Sequence, residues 1–390
     1  MLNLRTTILA KYQSGPFIIG GELWDSRVYG GNNGTPITTG EVNALEMVQV
    51  FVGTKTAIGS TKVTVQAGRF TLNLGSRRLV GADEYRNTTN GYTGLRADLS
   101  STNGITATAI YVLPQQRRPD DLASLRSNAV GFDHEGFDLV LWGGLIAKAR
   151  AIGPITAEAS FYHLGEHDTP GRPTRDRSLD TYGGRIIRDP VAGNIDGEVE
   201  AFYQSGTISA SIAPGAARLP VSAWFVHAAA GYTFSDRWKT RLSVQYDRAS
   251  GDGSPGTYRR FDTLYGMRRS DLAPAGLYNA VGRANISTPG LRVEFTPSNR
   301  WDAFATYHAM WLASQTDSFS TTGARDATGR SGAFAGHQFD GRLRWWIRPA
   351  KLRFEMDGVL LAKGRFLETA PNVTAKGTTA YGSLNLTASF

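Results

Sequence analysis

The last ten residues, 381–390, read YGSLNLTASF and alternate strictly. Gly382, Leu384, Leu386, Ala388 and Phe390 fall on one side of an extended strand, and Tyr381, Ser383, Asn385, Thr387 and Ser389 on the other. The same two-residue period recurs along the chain, with Thr, Val, Tyr and Phe frequent in it. No apolar pattern at helical spacing persists over three turns. The alternation predicts seventeen strands, over 2–13, 16–25, 44–55, 61–74, 92–100, 104–113, 136–150, 154–163, 180–188, 196–206, 221–234, 238–249, 281–296, 301–313, 337–348, 351–363 and 378–390.

The connections between these strands carry a second pattern. Short ones (QSGP, AIGST, STNG, AIGP, DPVAGNI, FSDR, TPSNR, RPAK) alternate without exception with long ones. The long ones cover 26–43, 75–91, 114–135, 164–179, 207–220, 250–280, 314–336 and 364–377. A soluble sandwich has no reason to keep that rhythm. An outer-membrane barrel does, because its periplasmic turns are short and its extracellular loops long. The faces of the strands agree. Leu352, Phe354, Met356, Gly358 and Leu360 oppose Arg353, Glu355 and Asp357, and Phe339, Leu343, Trp345 and Ile347 oppose Gln338, Asp340, Arg342 and Arg344. About eight strands close on a packed core, whereas sixteen to eighteen leave an aqueous lumen. Seventeen such strands therefore place the charged face inside and the apolar face toward lipid. Aromatic residues near strand ends, among them Tyr12, Trp24, Trp224, Trp238, Trp301 and Phe390, fit interfacial girdles. The expected fold is all-β: one transmembrane antiparallel barrel over 1–390 with no domain boundary.

Composition sharpens this reading. The 390 residues are 41% hydrophobic and include 45 Gly, 41 aromatics (8 Trp, 15 Tyr and 18 Phe) and no Cys. No apolar run approaches the ~18 residues of a spanning helix. The net charge of +8, from 42 basic and 34 acidic residues, suggests an anionic partner without specifying it.

The strand count is odd. If the first connection is periplasmic, strand 2–13 and the last strand both run downward, whereas single-chain bacterial barrels normally have an even count. We therefore expect one further upward strand and a signal peptide upstream of Met1, giving eighteen strands. The terminal strand ending in Phe390 is the kind of element that outer-membrane proteins present to the barrel assembly machinery.

Three stretches are specific enough to indicate kinship: AGRFTLNLGSRRLVGADEYRNTTNGYTGLRADL (67–99), FDTLYGMRRSDLAPAGLYNAVGRANISTPGLRVEF (261–295) and WDAFATYHAMWLASQTDSFSTTGARDATGRSGAFAGHQFDGRLRWW (301–346). They resemble the bacterial alginate-export outer-membrane family. The resemblance implies an eighteen-stranded barrel whose arginine-bearing pore passes anionic polysaccharide. No periplasmic turn in this sequence is long enough to plug a channel, so a gate has to come from the extracellular loops.

Pore chemistry follows from the residues themselves. Uronic-acid chains carry one carboxylate per sugar, and arginine pairs with carboxylates in bidentate fashion at any relevant pH. By parity the inward basic candidates are Arg5, Lys11, Arg96, Arg185, Lys239, Arg241, Arg292, Arg342, Arg344 and Arg353. Arg69 joins them if a β-bulge lies at Ala67–Gly68, where the apolar positions switch phase. The loop residues Arg77, Arg78, Arg86, Arg268 and Arg269 sit at the mouth or fold inward. Glu22, Asp98, Glu198, Glu200, Asp247, Glu294, Asp302, Asp340, Glu355 and Asp357 face the same way, and cross-strand pairing with them is the competing role for these arginines.

Other classes find little support. The six His are scattered, and DHEG at 133–136 fits a solvated loop better than a metal site. No phosphate-binding loop, nucleophile elbow or Cys-based site occurs. No catalytic residue, cofactor or metal is expected, and basic residues dispersed over strands do not suit nucleic acid. The readings that remain are a conduit for an anionic polysaccharide or oligosaccharide, an uptake porin for small anionic or sugar-like nutrients and, third, a barrel hydrolase. Export versus uptake and oligomeric state stay open.

Overall fold

The computed structural model describes residues 1–32, 34–83, 85–253, 255–267 and 271–390. They form seventeen strands: β1 (Leu2–Ser14), β2 (Phe17–Tyr29), β3 (Asn43–Ile58), β4 (Thr61–Phe70), β5 (Tyr92–Ser101), β6 (Ile105–Pro114), β7 (Leu139–Ile152), β8 (Ile155–Glu166) and β9 (Ser178–Arg188), followed by β10 (Asn194–Ser209), β11 (Arg218–Thr233), β12 (Arg241–Ala249), β13 (Ile286–Ser298), β14 (Trp301–Trp311), β15 (Phe334–Arg348), β16 (Leu352–Lys363) and β17 (Thr379–Ala388). Two five-residue helices, α1 (Leu122–Arg126) and α2 (Arg365–Thr369), lie in long connections. Among the described residues no helix is long and apolar enough to cross a membrane.

Every strand pairs antiparallel with its neighbour in sequence, from β1 with β2 through to β16 with β17. The turns at one end are tight because their backbone enters the left-handed region. Gly15 (φ 54°) and Gly59 (φ 58°) do so without a Cβ penalty. At the other end the connections are long, and two of them turn inward.

These two connections show how the sheet curves. The loop between β4 and β5 touches four strands from inside: the adjacent β1 and β2, and the distant β10 and β15. Arg86 O accepts from Arg5 on β1, and Asn87 O accepts from Ser26 on β2. Arg78 reaches Glu200 on β10, and the Tyr85 hydroxyl accepts from Arg342 on β15. One loop can meet all four only if the sheet is rolled around it. The outer wall is apolar and exposed, as at Phe339 (54% exposed) and Met356 (46%), while their chain neighbours Gln338 and Asp357 are buried (0% and 2%). This inverts a soluble barrel, and it identifies the fold as a transmembrane β-barrel.

The interior is not charged throughout. Toward the long connections the inward positions are apolar: Leu141, Leu164, Leu179, Phe202, Phe225 and Ile286 are all buried. They pack against the inward loops. Phe202, Phe225 and Phe261 stack with centroids 5.6–6.4 Å apart, and Leu72, Leu79, Leu272 and Val281 join the same cluster. A loop seated in the lumen needs an apolar partner surface, and the wall supplies it. Paired charges line the half nearer the short turns, while Glu46, Glu166 and Asp247 are buried nearer the long connections.

The bulge expected at Ala67–Gly68 is absent. β4 pairs with β3 and β5 without a register shift. The extra residue sits on β3 instead, where Glu22 faces Gln49 but Leu23 faces Met47.

Candidate functional site

Two layers make up the inner site. The first is a belt of paired charges near the short turns. Cross-strand register sets Arg241 opposite Glu294 and Arg344 opposite Asp302, and each pair closes as an ion pair, the second at 2.9 Å. Arg241 also holds Asp196. Arg185 bridges Glu158 (3.2 Å) and Glu198 (3.0 Å), Arg96 meets Asp98 (2.7 Å), and Arg292 meets Glu294 (3.1 Å). Arg353 lies 3.7 Å from Glu355. Arg342 stands apart: among the described residues no carboxylate lies within 4 Å of it. It donates to the Tyr85 hydroxyl at 3.2 Å, and its guanidinium lies 4.9 Å from the centre of the Phe304 ring, which Arg292 also covers at 3.6 Å.

The second layer is the pair of inward loops. Tyr265 N donates to Leu79 O (2.9 Å), Gly81 N to Tyr265 O (3.1 Å), and Met267 N to Arg77 O (3.0 Å), joining residues 77–81 to 265–267 by a parallel bridge. Arg78 is sunk beneath it. Its guanidinium meets Glu198, Glu200 and Asp271 at 2.5–3.0 Å. Burial opposes its charge, but Asp271, Glu198 and Glu200 outweigh burial and hold it well above the ordinary guanidinium range. Arg283 shares Asp271 at 3.1 Å.

A cavity of about 620 Å³ opens between these loops and the neighbouring connections. Arg86, Arg117, Arg260 and Arg283 project to it alongside Asp83 and Asp262. Three of the four cations are neutralised locally: Arg86 by Asp83, Arg260 by Asp317, and Arg283 by Asp271. Arg117 is not. Its partners are neutral oxygens, Thr89 O at 3.0 Å and Asn90 Oδ1 at 2.9 Å. Desolvation, then the nearby Arg86, push its guanidinium down to about 10. It is still a cation at neutral pH; Asp133 and Asp83 favour its charge only from a distance, and among the described residues no carboxylate lies within 4 Å of it.

The expected basic residues thus fall into distinct places. Arg96, Arg185, Arg241, Arg292, Arg342, Arg344 and Arg353 come together in the belt. Arg77, Arg78 and Arg86 fold inward with their loop. Arg268 and Arg269 lie outside the described residues. Arg69 does not join them: it pairs with Val50 in the ladder, on the side of the exposed Val50 and Val65 and opposite the buried Phe70. There it bonds Glu46 and Glu135. Lys239, expected on a strand, sits in the turn before β12 with φ 48°.

Arg117, Arg260 and Tyr85 escaped the sequence reading because loop residues carry no parity; Arg283 escaped it because 281–285, expected as strand, belongs to the connection before β13. A third grouping also escaped it. His227, Asp247 and Asp271 bring three ligand-type atoms within 4.8 Å of one another. His227 Nδ1 already bonds Asp247 at 2.8 Å, and Arg78 and Arg283 already neutralise Asp271, so the group needs no cation.

Comparison with known proteins places this geometry. A family model described as "Alginate export" matches residues 5–380. No curated protein matches the sequence. Among solved structures, Pseudomonas aeruginosa OccK11 (OpdR) is similar over 99% of this chain and 90% of its own, with 12% identity and a TM-score of 0.57. P. aeruginosa OpdK, solved with vanillate, covers 93% of this chain and 88% of its own at 10% identity and TM-score 0.59. P. aeruginosa OccK2 (OpdF), solved in complex with glucuronate, covers 92% and 85% at 10% identity and TM-score 0.57. At these identities the likeness is one of fold.

Proposed function

The chain belongs to the alginate-export family and is a channel of the bacterial outer membrane, and from that premise we propose that it passes an anionic polysaccharide or oligosaccharide through a basic-lined path. The single observation that carries this reading is Arg117, a cation at the wall of the inter-loop cavity whose hydrogen-bond partners among the described residues are neutral oxygens. The long connections face outward from the cell and the short turns face the periplasm. A carboxylate-bearing sugar meets Arg117 in the cavity and Arg342 in the belt, neither of which has a carboxylate within 4 Å among the described residues. The paired arginines between them offer weaker, exchangeable contacts. Conduction needs sites that attract without trapping, and a belt already half-neutralised meets that need. The whole chain acts as one barrel, with the 71–91 and 250–285 loops as its gate.

A second reading is uptake of small anionic solutes. It draws on OpdK having been solved with vanillate and OccK2 with glucuronate. The two readings part on ligand length. Planar-bilayer conductance is measured with glucuronate, and separately with uronate oligomers, as blockers. Block that strengthens with chain length supports the polymer path, and equal block by the monomer supports uptake of small acids. Arg117→Gln should weaken block by either. Unchanged block in that variant would overturn the role of Arg117.

A further inference from the structure

The outer wall carries a feature that pore function does not use. Across β11 to β15 the lipid-facing surface is hollowed into a groove of about 690 Å³. Small outward residues, Ala230 and Ala305, form its floor, and Leu242, Val244, Leu291 and Phe339 its flanks. The outward face of β12 continues upward from Leu242 and Val244 through Tyr246 to Arg248. Arg248 is exposed on that face at the end next to a long connection. Its guanidinium stacks 5.5 Å from the centre of the Trp224 ring. Among the described residues no carboxylate lies within 4 Å of it. Hydroxyl pairs flank the position, Tyr246 with Ser287 at 2.9 Å and Tyr203 with Ser222 at 3.3 Å.

A cation on the lipid side of a barrel wall is costly unless it lies at the interface and meets an anion. At about 3.4 Å per residue, Arg248 lies about 14 Å along the strand from Val244, or about 10 Å higher in the membrane once the tilt of a barrel strand is counted. That is the separation between a headgroup and the middle of its acyl chain. We propose that this wall binds a phosphate-bearing lipid of the outer leaflet, with an acyl chain in the groove and its phosphate on Arg248. Arg pairs bidentately with phosphate, and Trp224 holds the guanidinium planar and in place. A free phosphate would have no use for the groove. A second barrel packed here would bury Arg248 without a partner.

The test is lipid retention by native mass spectrometry of the full chain purified in detergent. Lipid A, lipid A stripped of its phosphates, and inorganic phosphate are added separately. The parent should retain lipid A about tenfold better than the stripped form, the loss of one charge-assisted pair. Arg248→Gln should abolish that preference, and Arg248→Lys should recover part of it. Ala305→Trp, which fills the groove while leaving Arg248 intact, should lower retention of both lipids. Equal retention of the two lipids by the parent would overturn the proposal, as would lipid A retention unchanged in Arg248→Gln or Ala305→Trp. Binding of inorganic phosphate as tight as that of lipid A would overturn it in favour of a plain anion site. Bilayer conductance of Arg248→Gln should match the parent, which separates this site from the pore.

Discussion

Arg78 and Glu200 meet at 2.6 Å with side chains only 1% and 4% exposed, although 122 residues separate them in the chain. The pair fastens the 71–91 loop to the barrel wall. Arg78→Met would strand the buried Glu200 and leave Glu198 and Asp271 to Arg185 and Arg283 alone. Removing one partner of a buried ion pair costs about 3–5 kcal/mol. The expected outcome is a noisier open channel, a larger conductance and barrel unfolding at lower temperature, read by single-channel recording and by heat-modified gel mobility. Arg78→Lys should recover little, since a point charge cannot serve three carboxylates. Quiet, parent-like currents in Arg78→Met would show that the loop is held by its apolar contacts alone.

Arg117 should report itself through pH. Its guanidinium is depressed well below the ordinary arginine range to about 10, so the cation is lost as pH rises through about 10. Uronate block should stay level from neutral pH to about 9 and decline above about 10. The carboxylates of the sugar do not contribute, since they titrate near ~4. A bound anion favours the charged form, so saturating oligomer should shift the decline to higher pH. Below about 10 the protein carries a charge that its surroundings disfavour. Arg117→Gln should therefore lose block while unfolding at a slightly higher temperature. A variant that loses both block and stability would mean that Arg117 is a structural strut.

Arg342 and Arg344 sit two residues apart on one face but differ in partners. Arg344 is matched to Asp302, whereas Arg342 bonds the Tyr85 hydroxyl and, among the described residues, has no carboxylate within 4 Å. Either single change to Gln should lower anion preference in reversal-potential measurements. Adding Asp302→Asn should restore the preference in Arg344→Gln, because the pair then leaves as a neutral unit. The same addition in Arg342→Gln should overshoot the Arg342→Gln value by only the loss of one acid, without restoring block by oligomers. Identical restoration of block in both double variants would erase the distinction between the two arginines.

Gly143 on β7 adopts φ 137°, and a Cβ there would fall 2.1 Å from Phe161 O on the paired strand. Gly143→Ala should open the β7–β8 ladder locally and cost about 1–3 kcal/mol. Gly184, whose added Cβ would meet nothing within 4 Å, is the control and should tolerate Ala. Heat-modified gel mobility of the two variants should separate them.

The strands were legible because both of their signals are local. Alternation needs only adjacent residues, and a short turn needs only two to seven. Where strand bounds slipped, a tertiary contact had taken over. Residues 281–285 look extended, yet Val281 is buried against the loops and Asn285 anchors the neighbouring connection through Ser314 and Ser318. Residues 238–240 look like strand because of Trp238, but Thr240 N bonds Asp236 and closes a turn. Helices α1 and α2 span barely one turn each and are too short to show a period. Pairing of the belt arginines was foreseeable as a competitor to ligand binding, since register puts opposite charges side by side. The inward fold of two loops was not. Arg78 and Asp271 lie 193 residues apart, and no period connects them.

The contact between Tyr85 and Arg342 spans 257 residues. Neither inward loop can be seated when its own flanking strands first pair, because the 71–91 loop needs β10 and β15 as walls. The barrel must therefore pass through a stage in which its early hairpins are complete while the passage is still wide open. Contacts of such high sequence separation are slow to form. The narrowing of the channel is then the last event in its biogenesis, so a folding defect confined to β15 would yield a protein that is inserted but leaky.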